Sequence, residues 1–147
     1  MSIKIIGHLT VEKRNGEGVV VQKIEKQNLI VNNGKELIAK LIGNVSSPNP
    51  ASYIQIGTGT TAADVTQTGL TTYFAEDTTT NAYEASYKLK LDADWSSGTF
   101  SGQNITEAGV FDGAQAGVPI MLSRQVFSAI NLTVSDSLTI TWRITVS

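Results

Sequence analysis

The side chains with the greatest chemical reactivity are few in this chain of 147 residues, and they do not form a catalytic set. There is one histidine, His8, and there is no cysteine. His8 stands beside Leu9 in a β-rich run and no positioned nucleophile motif accompanies it, which is typical of a structural or solvent-facing histidine rather than a general base. The missing cysteines exclude disulfides, thiolate zinc sites and cysteine nucleophiles. We therefore predict that the chain is not an enzyme and has no catalytic residue.

A glycine-rich segment at residues 57–61 reads Gly-Thr-Gly-Thr-Thr and follows a short strand pattern, as a phosphate-binding loop would. It lacks the Gly-Lys-Ser/Thr ending of such a loop, and no helical pattern comes after it. The segment is therefore interpreted as a turn, and no nucleotide cofactor is predicted.

Two carboxylates, Asp92 and Asp94, alternate onto the same polar face of a predicted strand. Carboxylates so placed can hold a hard cation, and a glycan hydrolase needs a carboxylate pair. However, the D-x-D-x-D-G spacing of a calcium loop is absent, and Lys88 and Lys90 lie on the same face. This pattern favours a solvated strand face, so neither a metal nor any other cofactor is predicted.

Charge and hydropathy predict neither a nucleic-acid nor a membrane partner. Eleven basic and thirteen acidic residues leave a net charge of -2, which is not the footprint of a nucleic-acid-binding surface. The apolar run near the N-terminus is too short for a signal peptide, and no stretch is long enough to span a membrane. We expect a soluble protein made in the cytoplasm, with residues 1–147 forming one domain.

Alternating apolar and polar residues predict several long β-strands. Along residues 138–146 every even position is apolar, and along residues 83–95 every odd position is. Two further strand candidates are residues 105–111 and 120–127. Because side chains alternate across a strand, each pattern places one apolar face against a core. Trp95 and Trp142 are in phase with those faces, so they are predicted to be core residues rather than a platform for a sugar.

The remaining patterns predict an antiparallel β-sandwich or β-barrel with one short helix. An Asn-Gly pair at residues 15–16 separates the runs 3–11 and 19–30, which favours an N-terminal hairpin. Helical spacing of apolar residues over about residues 34–42, with Asn33 as helix cap and Glu36 three positions later, predicts the helix. The Thr-rich stretch from residue 58 to residue 81 is predicted to be a long exposed loop.

Several segments resemble small structural proteins of tailed bacteriophages. The resemblance covers about residues 30–147 and is carried by five segments: 33–42 (Asn-Gly-Lys-Glu-Leu-Ile-Ala-Lys-Leu-Ile), 53–61 (Tyr-Ile-Gln-Ile-Gly-Thr-Gly-Thr-Thr), 105–111 (Ile-Thr-Glu-Ala-Gly-Val-Phe), 121–130 (Met-Leu-Ser-Arg-Gln-Val-Phe-Ser-Ala-Ile) and 136–142 (Asp-Ser-Leu-Thr-Ile-Thr-Trp). The last two are similar to the closing segment of phage particle proteins described as head decoration or fibre components.

The resemblance implies a capsid decoration, or cement, protein on the outer surface of the phage head. Its expected partners are the major capsid protein of the same phage and further copies of itself, as a trimer. The alternative that it leaves open is a tail-fibre or baseplate component, whose Thr-rich loops contact a host glycan or another fibre domain. The resemblance supplies no catalytic residue.

The N-terminal hairpin, residues 1–30, lies outside the resemblance and is predicted to serve in assembly. The first strand, residues 3–11, is the expected contact, because a terminal strand can add to the edge of another sheet. Its apolar side chains Ile3, Ile5, Leu9 and Val11 are the predicted assembly residues. The other interpretation of the same pattern is an ordinary internal edge strand, since the Asn-Gly turn pairs it locally.

Overall fold

The computed structural model describes residues 2–147, which form nine β-strands, one α-helix and a single 3-10 turn at residues 115–117. The strands and the helix are β1 (Ile5–Arg14), β2 (Val20–Ile30), α1 (Asn32–Gly43), β3 (Tyr53–Gly57), β4 (Tyr73–Thr78), β5 (Thr80–Glu84), β6 (Lys88–Trp95), β7 (Gln103–Phe111), β8 (Met121–Leu132) and β9 (Ser137–Val146).

All nine strands belong to one antiparallel sheet, in the order β4-β3-β7-β8-β2-β1-β9-β6-β5. Only Thr79 separates β4 from β5, so the chain passes directly from one end of the strand order to the other and nearly closes the sheet. The structure is therefore a barrel-like sheet with a single α-helix, which confirms the predicted fold class.

The core is filled by the inward face of each strand, as the alternation predicts. In β9, Leu138, Ile140, Trp142 and Ile144 are all buried. Trp142 pairs in register with Leu9 of β1 on one side and with Leu91 of β6 on the other. Trp95 is 5% exposed and Trp142 is fully buried, so both tryptophans are core residues as predicted.

The N-terminal hairpin is also confirmed. The strands β1 and β2 pair antiparallel from Gly7 with Asn28 to Arg14 with Val20. The side chain of Asn15 accepts hydrogen bonds from the backbone N–H groups of Glu17 and Val19, which fixes the turn.

The helix begins at Asn32, two residues before the predicted start, and its cap differs from the prediction. Val31 occupies the N-cap position and no side chain caps the helix, so the predicted capping box is wrong. Glu36 instead forms an ion pair with Lys40, one turn further along. The helix ends at Gly43, and Asn44 caps its C-terminus in the left-handed conformation with a φ of 50°.

Several of the predicted strand and loop boundaries are wrong. Residues 83–95 are two strands and not one, because a turn at residues 85–87 separates β5 from β6. Ser86 and Tyr87 both have a φ of 67° in this turn, and the apolar alternation continues through it without Gly or Asn to mark a turn. Strand β8 continues to Leu132 rather than ending at residue 127 as predicted, and β4 begins at Tyr73 within the predicted exposed loop.

Candidate assembly surface

The four predicted assembly residues occupy two different environments. Leu9 and Val11 are fully buried in the core, whereas Ile3 is 71% exposed and Ile5 is half-buried. Strand β1 lies between β2 and β9 and pairs with both along its length, so it has no free edge to add to another sheet. The structure therefore corrects the prediction for Leu9 and Val11, which are core residues, and leaves Ile3 and Ile5 at the surface.

Ile5 lines an apolar groove at one end of the barrel. The register pairs Ile5 with Val146, and Leu89 with Ile144, so these four inward-facing side chains meet where β1, β6 and β9 reach that end. The groove has a volume of about 410 Å³, and we call it the end groove. Its lining is Ile5, Ile38, Tyr83, Tyr87, Lys88, Leu89, Ile144 and Val146.

A second hollow of about 230 Å³ adjoins the end groove and extends the same apolar surface. Ile3, Ile30 and Lys35 line it, together with Ile5 and Ile38, which the two hollows share. The sequence brings these residues together because α1 follows β2 directly, so that Ile38 packs over the end of the barrel.

The end groove is bordered by exposed aromatic side chains. Tyr83 is 73% exposed and Tyr87 is 71% exposed, while Val146 is 45% exposed. A contiguous apolar surface of this kind marks an interaction site more often than scattered apolar residues do. The two side chains that carry a charge in the lining of the hollows, Lys35 and Lys88, are both basic.

The most concentrated polar chemistry in the chain lies elsewhere, in a buried ion pair between Glu107 of β7 and Arg124 of β8. The Nη2 and Nε atoms of Arg124 donate to Oε2 of Glu107 at 2.7 and 3.0 Å. Both side chains are fully buried. The pair lies on the sheet face that residues 58–72 cover, and this segment supplies the other partners.

Three backbone N–H groups also donate to the Glu107 carboxylate. Those of Gly59 and Thr72 reach Oε1 at 3.0 and 2.7 Å, and that of Thr71 reaches Oε2 at 3.0 Å. Arg124 donates further to Oε1 of Gln67, at 2.8 Å. The pair is thus saturated with hydrogen bonds and sealed from solvent, so its arrangement fixes the segment in place and offers no group to a substrate.

Sequence reasoning did not single out Glu107 or Arg124 as a pair. The available signal was one charged residue in each of two predicted apolar strands, because a charge in a buried strand requires a partner. Which charge would face which depended on the register of β7 with β8, and that register contains two irregularities.

The predicted turn at residues 57–61 is bound to the same carboxylate. The N–H of Gly59, which a phosphate loop would direct at a phosphate, is already bonded to Glu107. A Cβ atom at Gly57 or Gly59 would collide with the Glu107 side chain, so glycine is required at both positions by the close approach of the loop.

The remaining candidate residues lie on the solvated outer face of the barrel. Asp92 accepts a hydrogen bond from Thr141 and forms an ion pair with Lys90, while Asp94 accepts from Thr139. His8 is exposed on the outer face of β1. Within residues 2–147, no three His, Asp or Glu side chains are grouped so as to hold a metal ion.

The ion pair between Arg143 and Glu84, on this outer face, lies near Lys88 of the end groove. The hydrogen bond from Arg143 holds the pKa of Glu84 below its usual range, and Lys90 and Lys88 lower it further through space. The distance from Nε of Arg143 to Oε2 of Glu84 is 2.9 Å.

No helix in the described part of the chain has the length and apolarity needed to cross a membrane. No protein-family profile, curated protein or solved structure matches the chain.

Proposed function

We propose that this chain is a virion structural protein of a tailed bacteriophage, namely a capsid decoration protein that binds the major capsid protein on the outside of the assembled head. It stabilises the head by linkage, because a protein that binds the assembled shell and not its separate subunits shifts the assembly equilibrium toward the shell. This function requires no catalysis, no cofactor, no nucleic acid and no membrane.

The observation that carries the proposal is the way the resembling segments meet in the fold. Gly34, in the first of them, packs so closely on the backbone of Leu122 that a Cβ atom would overlap the Leu122 carbonyl. Gly59 bonds to Glu107, and Glu107 bonds to Arg124. These residues are each other's partners, so each segment constrains the others. Their joint occurrence supports a fold shared with the phage proteins that the segments resemble.

The end groove is the proposed attachment surface. Ile3 and Ile5, the two predicted assembly residues that remain at the surface, line it or its adjoining hollow. Burying such apolar side chains against a partner is favourable by about 25 cal/mol per Å² of surface removed from water. The charges of the outer face are paired with one another, so contact area and shape contribute more here than electrostatic steering does.

One observation favours the head over the tail alternative. A fibre or baseplate role assigns host binding to the Thr-rich loops of residues 58–81. In this fold the first part of that stretch is bound to Glu107 and Arg124, and the last part is strand β4 and the start of β5. The stretch is thus held to the sheet at Gly59, Gln67, Thr71 and Thr72. A stretch held in this way is less suited to act as an adaptable receptor loop.

The copy number in purified phage particles tests the function. Quantitative mass spectrometry is expected to find the chain in hundreds of copies per particle, as a head lattice with many equivalent positions requires. A few dozen copies or fewer would favour the fibre or baseplate alternative. Absence from particles, with the protein free in infected cells, would overturn the proposal. The trimer implied by the resemblance stays a prediction for the protein bound to the head, and a map of the decorated particle tests it.

Charged substitutions in the end groove test the attachment surface. Ile3→Asp and Tyr87→Asp each place a carboxylate on this surface, and we expect affinity for heads that lack the protein to fall at least about tenfold. Val134→Asp is the matched control, because Val134 is 62% exposed and precedes β9, at the opposite end of the barrel. Unchanged binding by both groove variants would exclude the end groove as the anchor.

A further inference from the structure

We infer that the free edge of β2 is a self-association surface, at which a second copy of this chain pairs antiparallel around a twofold axis at Ile24. This inference concerns the isolated protein and stands whether or not the protein belongs to a virion.

Strand β2 has an unpaired edge over most of its length. It pairs with β1 on one side from Val20 to Asn28, but on the other side it pairs with β8 only at Leu29 and Ile30. Over Val20–Glu25 the two strands have separated. An unpaired edge exposes a row of N–H and C=O groups that can bond to another strand.

Residues 27–31, which lie beside β8, show in which direction the backbone groups of β2 point. The N–H of Val31 donates to the carbonyl of Leu122, and the carbonyls of Leu29 and Gln27 accept from side chains of β8. Backbone groups alternate in direction along a strand. The backbone groups of Glu25 and Lys23 therefore also point toward the free edge, and within residues 2–147 nothing bonds to them there.

Other exposed edges of the sheet are protected. Where β8 separates from β2, Lys26 donates to the carbonyl of Val126 and Lys13 donates to that of Asn131. The terminal strands β4 and β5 have only six and five residues. Short strands and lysines over an edge are common protections against pairing. In the described part of the chain no lysine side chain donates to a backbone carbonyl of Val20–Glu25, and Val20 and Val21 are 40% and 51% exposed.

The charges on the edge select one partner and one register. An antiparallel copy must match residues whose backbone groups point toward the free edge with residues of the same kind, so the twofold axis passes through a residue and not between two. An axis at Lys23 or Glu25 places like charges opposite each other. An axis at Val21 or Gln22 places Lys23 opposite a valine. The axis at Ile24 places each Lys23 opposite the Glu25 of the other copy, on the outer face of both sheets, and pairs the two Ile24 side chains.

Charged side chains on an edge usually discourage pairing. Here Lys23 and Glu25 are opposite in sign and two residues apart, and they already lie 3.6 Å from each other within one chain, with about half of each side chain exposed. Cross-strand pairs of opposite charge stabilise antiparallel sheets, whereas like charges destabilise them. The sequence of this edge is therefore complementary to itself.

Analytical ultracentrifugation of the purified protein over a range of concentrations measures its oligomeric state and tests the inference. A contact of one short strand is small, so we expect a reversible monomer–dimer equilibrium and not a permanent dimer. Lys23→Glu and Glu25→Lys each turn both cross-strand pairs into like-charge pairs, and each should raise the dimer dissociation constant at least about tenfold. Glu17→Lys is the control, because it makes the same charge change in the hairpin turn and should leave dimerisation unchanged.

Two rescue experiments separate this pairing from a general effect of charge or of folding. The double variant Lys23→Glu/Glu25→Lys regains opposite charges in the same register and should dimerise like the unaltered chain. An equimolar mixture of the two single variants should form heterodimers. A monomer at all concentrations, a trimer, or a folded double variant that does not dimerise would overturn the inference. None of these results depends on binding to phage heads.

Discussion

At the scale of single residues, the buried pair of Glu107 and Arg124 is the feature with the largest consequence for stability. Removing one partner of a buried ion pair costs about 3–5 kcal/mol, because the other charge stays buried without compensation. We predict a loss of this size in the free energy of unfolding for Arg124→Met, measured by urea denaturation.

The control for this prediction is the ion pair between Arg143 and Glu84, in which each side chain is about one third exposed. Water screens such a pair, so Arg143→Met should cost less than about 1 kcal/mol. An Arg124→Met variant that loses no more stability than Arg143→Met would contradict the assignment of the buried pair as the lock on residues 58–72.

A second prediction at this scale concerns the stability of the fold at low pH. The backbone N–H of Thr133, then its hydroxyl, and then Lys13 hold the pKa of Asp136 below its usual range, against the opposing effect of burial. A carboxyl with a lowered pKa stabilises the fold above its unfolded pKa, and this contribution disappears as the pH falls through the folded pKa. Asp136→Asn should therefore lower the free energy of unfolding by about 1.5 kcal/mol at neutral pH.

The difference between Asp136→Asn and the unaltered chain should shrink as the pH falls below the usual range of aspartate. Urea denaturation at a series of pH values measures it. A difference that stays constant down to the acid limit would show that Asp136 contributes through packing rather than charge.

At the scale of elements, the sequence predicted the helix and the strands whose apolar residues recur with a constant period. The helix and the long strand β9 were predictable, because a consistent period places an apolar face on a core. The turn at residues 85–87 was not, since its left-handed positions hold Ser86 and Tyr87 in place of Gly or Asn. Strand β4 was hidden in a Thr-rich stretch, because it is short and its residues are only partly buried.

The contact between α1 and β8 leads to a prediction at the same scale. An alanine inside a helix is normally more stable than a glycine by about 1 kcal/mol. At Gly34 we predict the opposite, a loss of about 1–3 kcal/mol for Gly34→Ala, because the added Cβ atom would overlap the Leu122 backbone and push the helix away from the sheet. The melting temperature of the variant shows whether stability falls or rises. A raised melting temperature would show that α1 shifts without cost.

At the scale of the whole molecule, the candidate site was predictable only in part, because it depends on strands that are distant in the sequence. The pattern of β1 identified its apolar residues but not its neighbours. Pairing with β9, the last strand, converts Leu9 and Val11 into core residues. The same pairing places Ile5 beside Val146 in the end groove. The local pattern contained the residues of the site but not the register that divides core from surface.

This register determines how far the N-terminus can be shortened. Deleting residues 2–11 removes most of β1, the partner of both β2 and β9, together with Leu9 and Val11 of the core. We predict that this truncated chain is unfolded, with no cooperative melting transition by circular dichroism. Deleting only residues 2 and 3 removes Ile3 and no strand residue, so it should leave cooperative melting intact and weaken attachment alone. If the longer deletion melts cooperatively, then β1 is a detachable arm, and the burial of Leu9 and Val11 is not needed to hold the barrel together.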